Sequence, residues 1–173
     1  MININIHTKT TLGSGSAPNV NHIRIVDDDI RLIPYYPNEE VTLKWYQDPD
    51  VCKQVDNIDT VYDRELLVRM YNYLNSNGSL YYIEYQGILV GDVSLRNNGE
   101  ISIVICKEYQ NRHIGRKCIL DMIKLAKEKE MPLVKAEIYS FNEQSRKMFK
   151  SVGFEQIDEE WFEFRKKMIE ENK

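Results

Sequence analysis

Between residues 109 and 117 the chain reads Tyr109-Gln110-Asn111-Arg112-His113-Ile114-Gly115-Arg116-Lys117. Just beyond, Cys118, Met122 and Ala126 recur at helical spacing, and Ile119, Leu120 and Ile123 widen the stripe. A helix from about Ile114 to Lys129 is therefore predicted, beginning inside the basic segment. Two residue choices at its start run against ordinary helix chemistry. Gly115 falls in the first turn, where glycine costs up to about 1 kcal/mol relative to alanine. Arg112, His113, Arg116 and Lys117 crowd the positive end of the helix dipole, which favours acids by about 0.3–1 kcal/mol each. A bound anion accounts for both: free N–H groups at a helix start grip phosphate, glycine admits a ligand close to the backbone, and basic side chains neutralise the charge. The competing explanation is a chance glycine on a solvated basic face, and the segment alone does not separate the two.

The elements that must position this turn are legible in outline. Ile23 to Val26 and Ile30 to Ile33 read as a bent first strand or short hairpin. Asn38-Glu39-Glu40 opens a helix carrying Val41, Leu43, Trp45 and Tyr46 and ending at Asp48-Pro49, and Asp63 caps a second helix through Leu74 with Asn77-Gly78 as its stop. Leu80 to Tyr85 and Ile88 to Leu95 are strands joined by a tight Gln86-Gly87 turn, and Asn97-Asn98-Gly99 turns the chain into a third, Ile101 to Cys106. After the long helix come a strand at Leu133 to Tyr139, a helix from Asn142 to Val152 stopped by Gly153, and closing strands at Phe154 to Ile157 and Trp161 to Arg165. The strand–helix–strand passage from Ile101 to Tyr139 is the one crossover that demands parallel neighbours. The expected fold is α/β: a single domain with a mixed central sheet flanked by helices on both faces. The ligand site belongs beyond the carboxyl ends of the crossover strands.

Composition narrows the function. A chain of 173 residues with 42% hydrophobic and 29% charged residues is a globular domain with room for one core. Its net charge of −4 argues against nucleic-acid binding. No apolar stretch reaches bilayer-spanning length, and the N-terminus lacks a signal peptide's apolar centre, so no membrane association is expected. Residues 1–21 are polar and rich in Thr, Ser, Asn and Gly, a flexible extension ahead of a domain over 22–173. Cys52, Cys106 and Cys118 fit no zinc spacing, and His7, His22 and His113 are scattered. Reduced thiols, a cytoplasmic setting and no metal are expected.

The turn resembles the pyrophosphate loop of the GCN5-related N-acetyltransferases, whose pattern is Gln or Arg, two variable residues, Gly, one variable residue, then Gly or Ala. Gln110 fills its first position and Gly115 its last, while His113 replaces the first glycine; His tolerates unusual backbone angles better than most residues. Asn142-Glu143-Gln144-Ser145 followed by Phe149 and Val152-Gly153-Phe154 resembles the family's second cofactor segment. Arg31-Leu32-Ile33-Pro34 and Leu43 to Val51, with Trp45 and Asp48-Pro49-Asp50-Val51, are similar to the ribosomal-protein-alanine and polyamine acetyltransferase branch. The resemblance covers Ile23 to Arg165.

It implies an acetyl-CoA-dependent transfer of an acetyl group to a primary amine, without a metal. Gln110, Asn111, Arg112, His113, Ile114, Gly115, Arg116 and Lys117 would hold the diphosphate. Asn142 would bind the pantetheine arm, which would lie between the two crossover strands on backbone groups of Ile103 and Ile105. Ser145 would stand near the coenzyme thiol as a hydrogen-bond or proton donor. Related enzymes often place a tyrosine general acid where this chain has Phe149, which has no hydroxyl. Glu100 and Glu137 match acidic positions from which the amine's proton is taken. Set against these roles are plain ones: an N-cap for Asn142, a first-turn serine for Ser145, solvated strand-edge charges for the glutamates. An α-amine, with a pKa of about 7.7–8.0 against about 10.4 for lysine, needs a base least. The acceptor stays open between a protein N-terminus and a small-molecule amine, and the assembly between monomer and homodimer. A catalytically weak coenzyme A-binding sensor module is the alternative.

Overall fold

In the computed structural model, residues 22–165 are described; the extension expected over residues 1–21 lies outside them. Strands β1 (Arg24–Ile25), β2 (Ile30–Pro34), β3 (Gly78–Tyr85), β4 (Ile88–Arg96) and β5 (Ile101–Ile105) form an antiparallel sheet in that order. Strands β6 (Leu133–Glu137), β8 (Trp161–Arg165) and β7 (Glu155–Gln156) form a second, three-stranded one. The β3–β4 hairpin turns at Gln86 and Gly87, with φ of 50° and 83°, the paired positive values of a type I′ turn.

The α/β class expected from the sequence holds, with one refinement of its sheet. The parallel pairing between the crossover strands is a single bridge, Glu100 to Lys135. Gly99 makes that bridge fit. Its φ is +85°, its carbonyl accepts the Lys135 N–H at 2.9 Å, and an added Cβ would stand 2.4 Å from the Leu133 carbonyl oxygen. Beyond the bridge β5 and β6 part.

Helix α3 (Arg64–Ser76) buries Leu67, Met70, Tyr71 and Leu74 and packs on β3, while α4 (Ile114–Glu128) packs on β4, β5 and β6. Asp63 caps α3 as expected, accepting the Leu66 N–H at 2.8 Å. The expected single helix over residues 38–49 is broken instead. A short α1 (Glu39–Thr42) runs into a 3-10 turn, and Pro49 opens a new helix, α2 (Pro49–Asp56). Asp48 sets that start: its backbone is extended, its carboxylate accepts the Asp50 N–H at 2.8 Å, and proline at the first helical position forfeits only a donor that would go unpaired. A fifth helix, α5 (Glu143–Ser151), follows β6.

Buried under α1, α2 and α3 is a cluster of aromatic rings, with Tyr46, Tyr62, Tyr71 and Tyr82 all 2% exposed or less. At its centre is Asp92 of β4, whose Oδ2 accepts both the Tyr46 and the Tyr71 hydroxyls at 2.8 Å. Burial pushes the Asp92 carboxyl up to about 7, against the opposing pull of the two hydroxyls.

Candidate active site

The parting of β5 and β6 opens a cleft of about 590 Å³. Its walls are β5, the turn after it, the end of β6, the first turns of α4 and α5, and one side of α2. The hydrogen-bond alternation of β5 decides what that strand offers. Arg96 N–H donates to the Glu100 carbonyl and Cys106 N–H to the Val90 carbonyl, so the even-numbered residues pair with β4. Alternation in an antiparallel ladder then turns the N–H and C=O of Ile103 and Ile105 away from β4, into the gap. The Ile105 carbonyl confirms this direction, since it accepts the Gln110 side-chain amide at 3.0 Å.

That bond folds the turn back on the strand. Asn111 and His113 both adopt left-handed backbone, at φ 61° and 62°, and His113 is the N-cap of α4. Its side chain makes no capping bond, and no acid stands in the first turn. The first backbone bond of α4 runs from Lys117 N–H to the His113 carbonyl, so the helix start presents uncapped donors to the cleft. Arg112, Arg116 and Lys147 supply cationic side chains around it. Arg112 is braced over the Tyr109 ring at 4.9 Å, and Gln144 donates to Asn111 Oδ1 at 2.8 Å, tying α5 to the turn.

Of the residues singled out in the sequence, Glu100, Ile103, Ile105, Gln110 through Arg116, Glu137, Asn142 and Ser145 all line this one cleft. Lys117 does not. One helical step past Arg116 its side chain points elsewhere, and its Nζ pairs with Asp27 at 2.6 Å. Gly115, which lines the cleft, also has a packing role. Its backbone angle is unremarkable, and an added Cβ would meet Met148 Sδ at 2.9 Å, so its smallness serves the approach of α5 to α4.

The two glutamates have different surroundings. Glu100, 6% exposed, is held in a buried ion pair with Arg96, rather than solvated at a strand edge. Glu137 stands half-buried where β6 ends. Asn142 caps α5, its Oδ1 accepting the Ser145 N–H at 3.2 Å, while its amide donor stays available to the cleft. Phe149 is buried edge-on against Phe154. Val51, Gln54 and Val55 of α2 form a wall inside the helical region 38–74, which the sequence marks as shaping the acceptor pocket without singling out these residues; Asp48-Pro49, an N-cap followed by a first-position proline, is the signal that marks the helix start.

Among the described residues no three His, Cys, Asp or Glu side chains are grouped to hold a metal ion. Burial pushes the thiols of Cys52 and Cys106 up to about 11 and that of Cys118 up to about 12, so none is a thiolate nucleophile at neutral pH. Among the described residues no helix is long and apolar enough to cross a membrane.

Solved structures share this arrangement. A GNAT-family acetyltransferase from Bacillus anthracis superposes with a TM-score of 0.67 at 16% identity, over 80% of this chain and 95% of that one. A spermidine N-acetyltransferase from Vibrio cholerae, in complex with CoA and spermine, gives 0.66 at 13% identity, over 76% and 84%. A Salmonella typhimurium acetyltransferase that modifies the N-terminal serine of ribosomal protein L7/L12 gives 0.64 at 13%, over 84% and 99%. Among curated protein sequences none matches significantly. At these identities the likeness shows the fold, not the branch within it. Residues 42–154, which hold α2, both crossover strands and the turn, match the acetyltransferase (GNAT) family, and the chain belongs to that family.

Proposed function

We propose that the protein is an acetyl-CoA-dependent N-acetyltransferase that moves the acetyl group directly to a primary amine, the α-amine of a protein N-terminus or that of a small molecule. The observation that carries this reading is the gap beside β5. There a row of backbone groups, those of Ile103 and the N–H of Ile105, faces the gap, the Ile105 carbonyl being taken by Gln110, and leads to an uncapped helix start ringed by Arg112, Arg116 and Lys147. An extended amide-bearing arm ending in a diphosphate matches that row in order: amides pair along the strand, and phosphates settle on the helix N–H groups. Asn142 adds a side-chain donor beside the arm.

Transfer requires the amine nitrogen, free of its extra proton, to attack the thioester carbonyl; the carbon–sulfur bond breaks and the thiolate leaves. Holding both partners in one cleft supplies much of the acceleration. Glu137 takes the proton, directly or through a water, from its place on the cleft wall where the strands part. Ser145, in the first turn of α5, hydrogen-bonds the departing sulfur. Cys52, Cys106 and Cys118 are buried and none lines the cleft, so no thiol is placed to carry the acetyl group.

The acceptor reaches the cleft from the α2 side. Burial and then the charges of Glu137, Asp56 and Glu160 push the Tyr139 phenol up, which marks this end as electronegative and suited to an ammonium. A second reading, a coenzyme A-binding module with weak catalysis, draws on Phe149 having no hydroxyl. Incubation with acetyl-CoA and a panel of amines, read by product mass, separates them. An acetylated amine supports the enzyme; coenzyme uptake by calorimetry without any product supports the module.

A further inference from the structure

We propose that Phe141 sets acceptor preference, its ring serving as the rest for an apolar or aromatic group next to the reacting nitrogen. This rests on the transferase reading above and names the class of amine the site selects. Phe141 lies in the loop from β6 to α5, between Ile138 and Asn142, which both line the cleft. It is 47% exposed and stands beside the cleft lining, next in the chain to Asn142, rather than inside the core. A single exposed apolar side chain needs no explanation by itself, but this one is held in place. Its ring stacks on that of Tyr139 at 5.5 Å with an interplanar angle of 6°.

Tyr139 itself is 2% exposed, and among the described residues its hydroxyl has no hydrogen-bond partner. A buried phenol that forgoes a partner costs free energy, and here it forms the base on which Phe141 rests. Opposite Phe141 stands α2. Lys53 holds its ammonium 5.9 Å from the Phe141 centroid and pairs with Asp59 at 2.9 Å. Its helix neighbours Val51, Gln54 and Val55 face into the cleft. An amine entering between α2 and this loop therefore passes a fixed aromatic surface on one side and valines on the other. Lys53, neutralised by Asp59, is the basic group at this end, while Arg112 and Arg116 lie at the turn and the start of α4. A polyamine, charged along its whole length, leaves that apolar surface unused; an amine flanked by a leucine-like or phenyl group covers it.

The test is steady-state acetylation of matched amines, 2-phenylethylamine against ethanolamine and dipeptide amides beginning with leucine against serine, by wild type and by Phe141→Ala and Phe141→Tyr. Wild type is expected to prefer the apolar member of each pair in kcat/KM. Phe141→Ala should cut that preference by about fivefold or more, chiefly through KM, and Phe141→Tyr, which keeps the ring, should restore it. Coenzyme A affinity and thermal midpoint are read alongside, so that a folding defect shows itself; in that case Phe141→Leu replaces the alanine variant. A ratio unchanged in the alanine variant, or a wild type that favours the polar members or spermidine, overturns the proposal. A wild type that acetylates no amine at all overturns the transferase reading and this one with it.

Discussion

Asp92 and the gap-facing backbone of β5 lie on neighbouring strands, and both are polar groups withdrawn from bulk water, yet the chain completes one and leaves the other open. Around Asp92 the carboxylate takes two tyrosine hydroxyls, and the rings of Tyr46, Tyr71 and Tyr82 pack edge to face beside it. Beside Ile103 and Ile105 the strand that should supply partners turns away after one bridge. The helix that follows begins without a cap. A half-satisfied polar interior is costly, so satisfied networks read as structure and open ones as places for a ligand.

Variants sharpen this contrast by separating stability from binding. The largest effect is expected at Glu100. Replacing it with alanine strands the buried Arg96 guanidinium and should cost about 3–5 kcal/mol in urea unfolding. Loss of activity there would reflect the fold rather than the chemistry. Asp92→Ala, leaving two buried hydroxyls unpartnered, should cost about 2–3 kcal/mol while coenzyme affinity stays near that of wild type in whatever fraction is folded. Asp92 also predicts a pH signature. Its folded carboxyl titrates at about 7, above the unfolded value of about 3.9. The unfolded chain therefore releases the proton first as pH rises, and stability falls between about pH 4 and 7, by at most about 1.4 kcal/mol per pH unit. Asp92→Asn should flatten that slope, measured by unfolding midpoints across the same range.

The open region should behave in the opposite way. Glu137→Gln is expected to lower kcat about a hundredfold with stability little changed. Arg112→Ala combined with Arg116→Ala should weaken coenzyme A binding roughly tenfold, less so at high salt, where the wild type is itself weakened. Ser145→Ala should be the mildest, a few-fold loss in kcat with KM for acetyl-CoA near unchanged. If the Arg112/Arg116 pair instead unfolded the protein without touching affinity, the division between closed and open polar regions would fail.

Sequence reading reached the open region well because its chemistry is local. Gln110, His113, Gly115 and Asn142 lie within a turn and a helix start, where residue type and spacing speak directly. His113 in left-handed backbone is the tolerance expected of that residue where a glycine was absent. Gly115 also packs against Met148, a contact its local sequence does not announce because that helix lies more than thirty residues along. The residues of the α2 wall are not singled out when Asp48-Pro49 is read as a stop, although the same pair is a start. Asp92 was invisible: one acidic residue in a strand looks like an exposed charge, and the partners that bury it, Tyr46 and Tyr71, stand 46 and 21 residues away in sequence. Lys117 shows the same limit, since its partner Asp27 comes from the far end of the sheet.

Hydrogen exchange of the backbone amides with and without coenzyme A tests the central claim most directly. The amides of Ile103 and Ile105 and those of the first turn of α4 should gain protection together on addition of the coenzyme, while ATP at the same concentration protects only the helix start or nothing. Uptake of coenzyme A with no change at Ile103 and Ile105, or protection confined to the α2 side of the cleft, would contradict it.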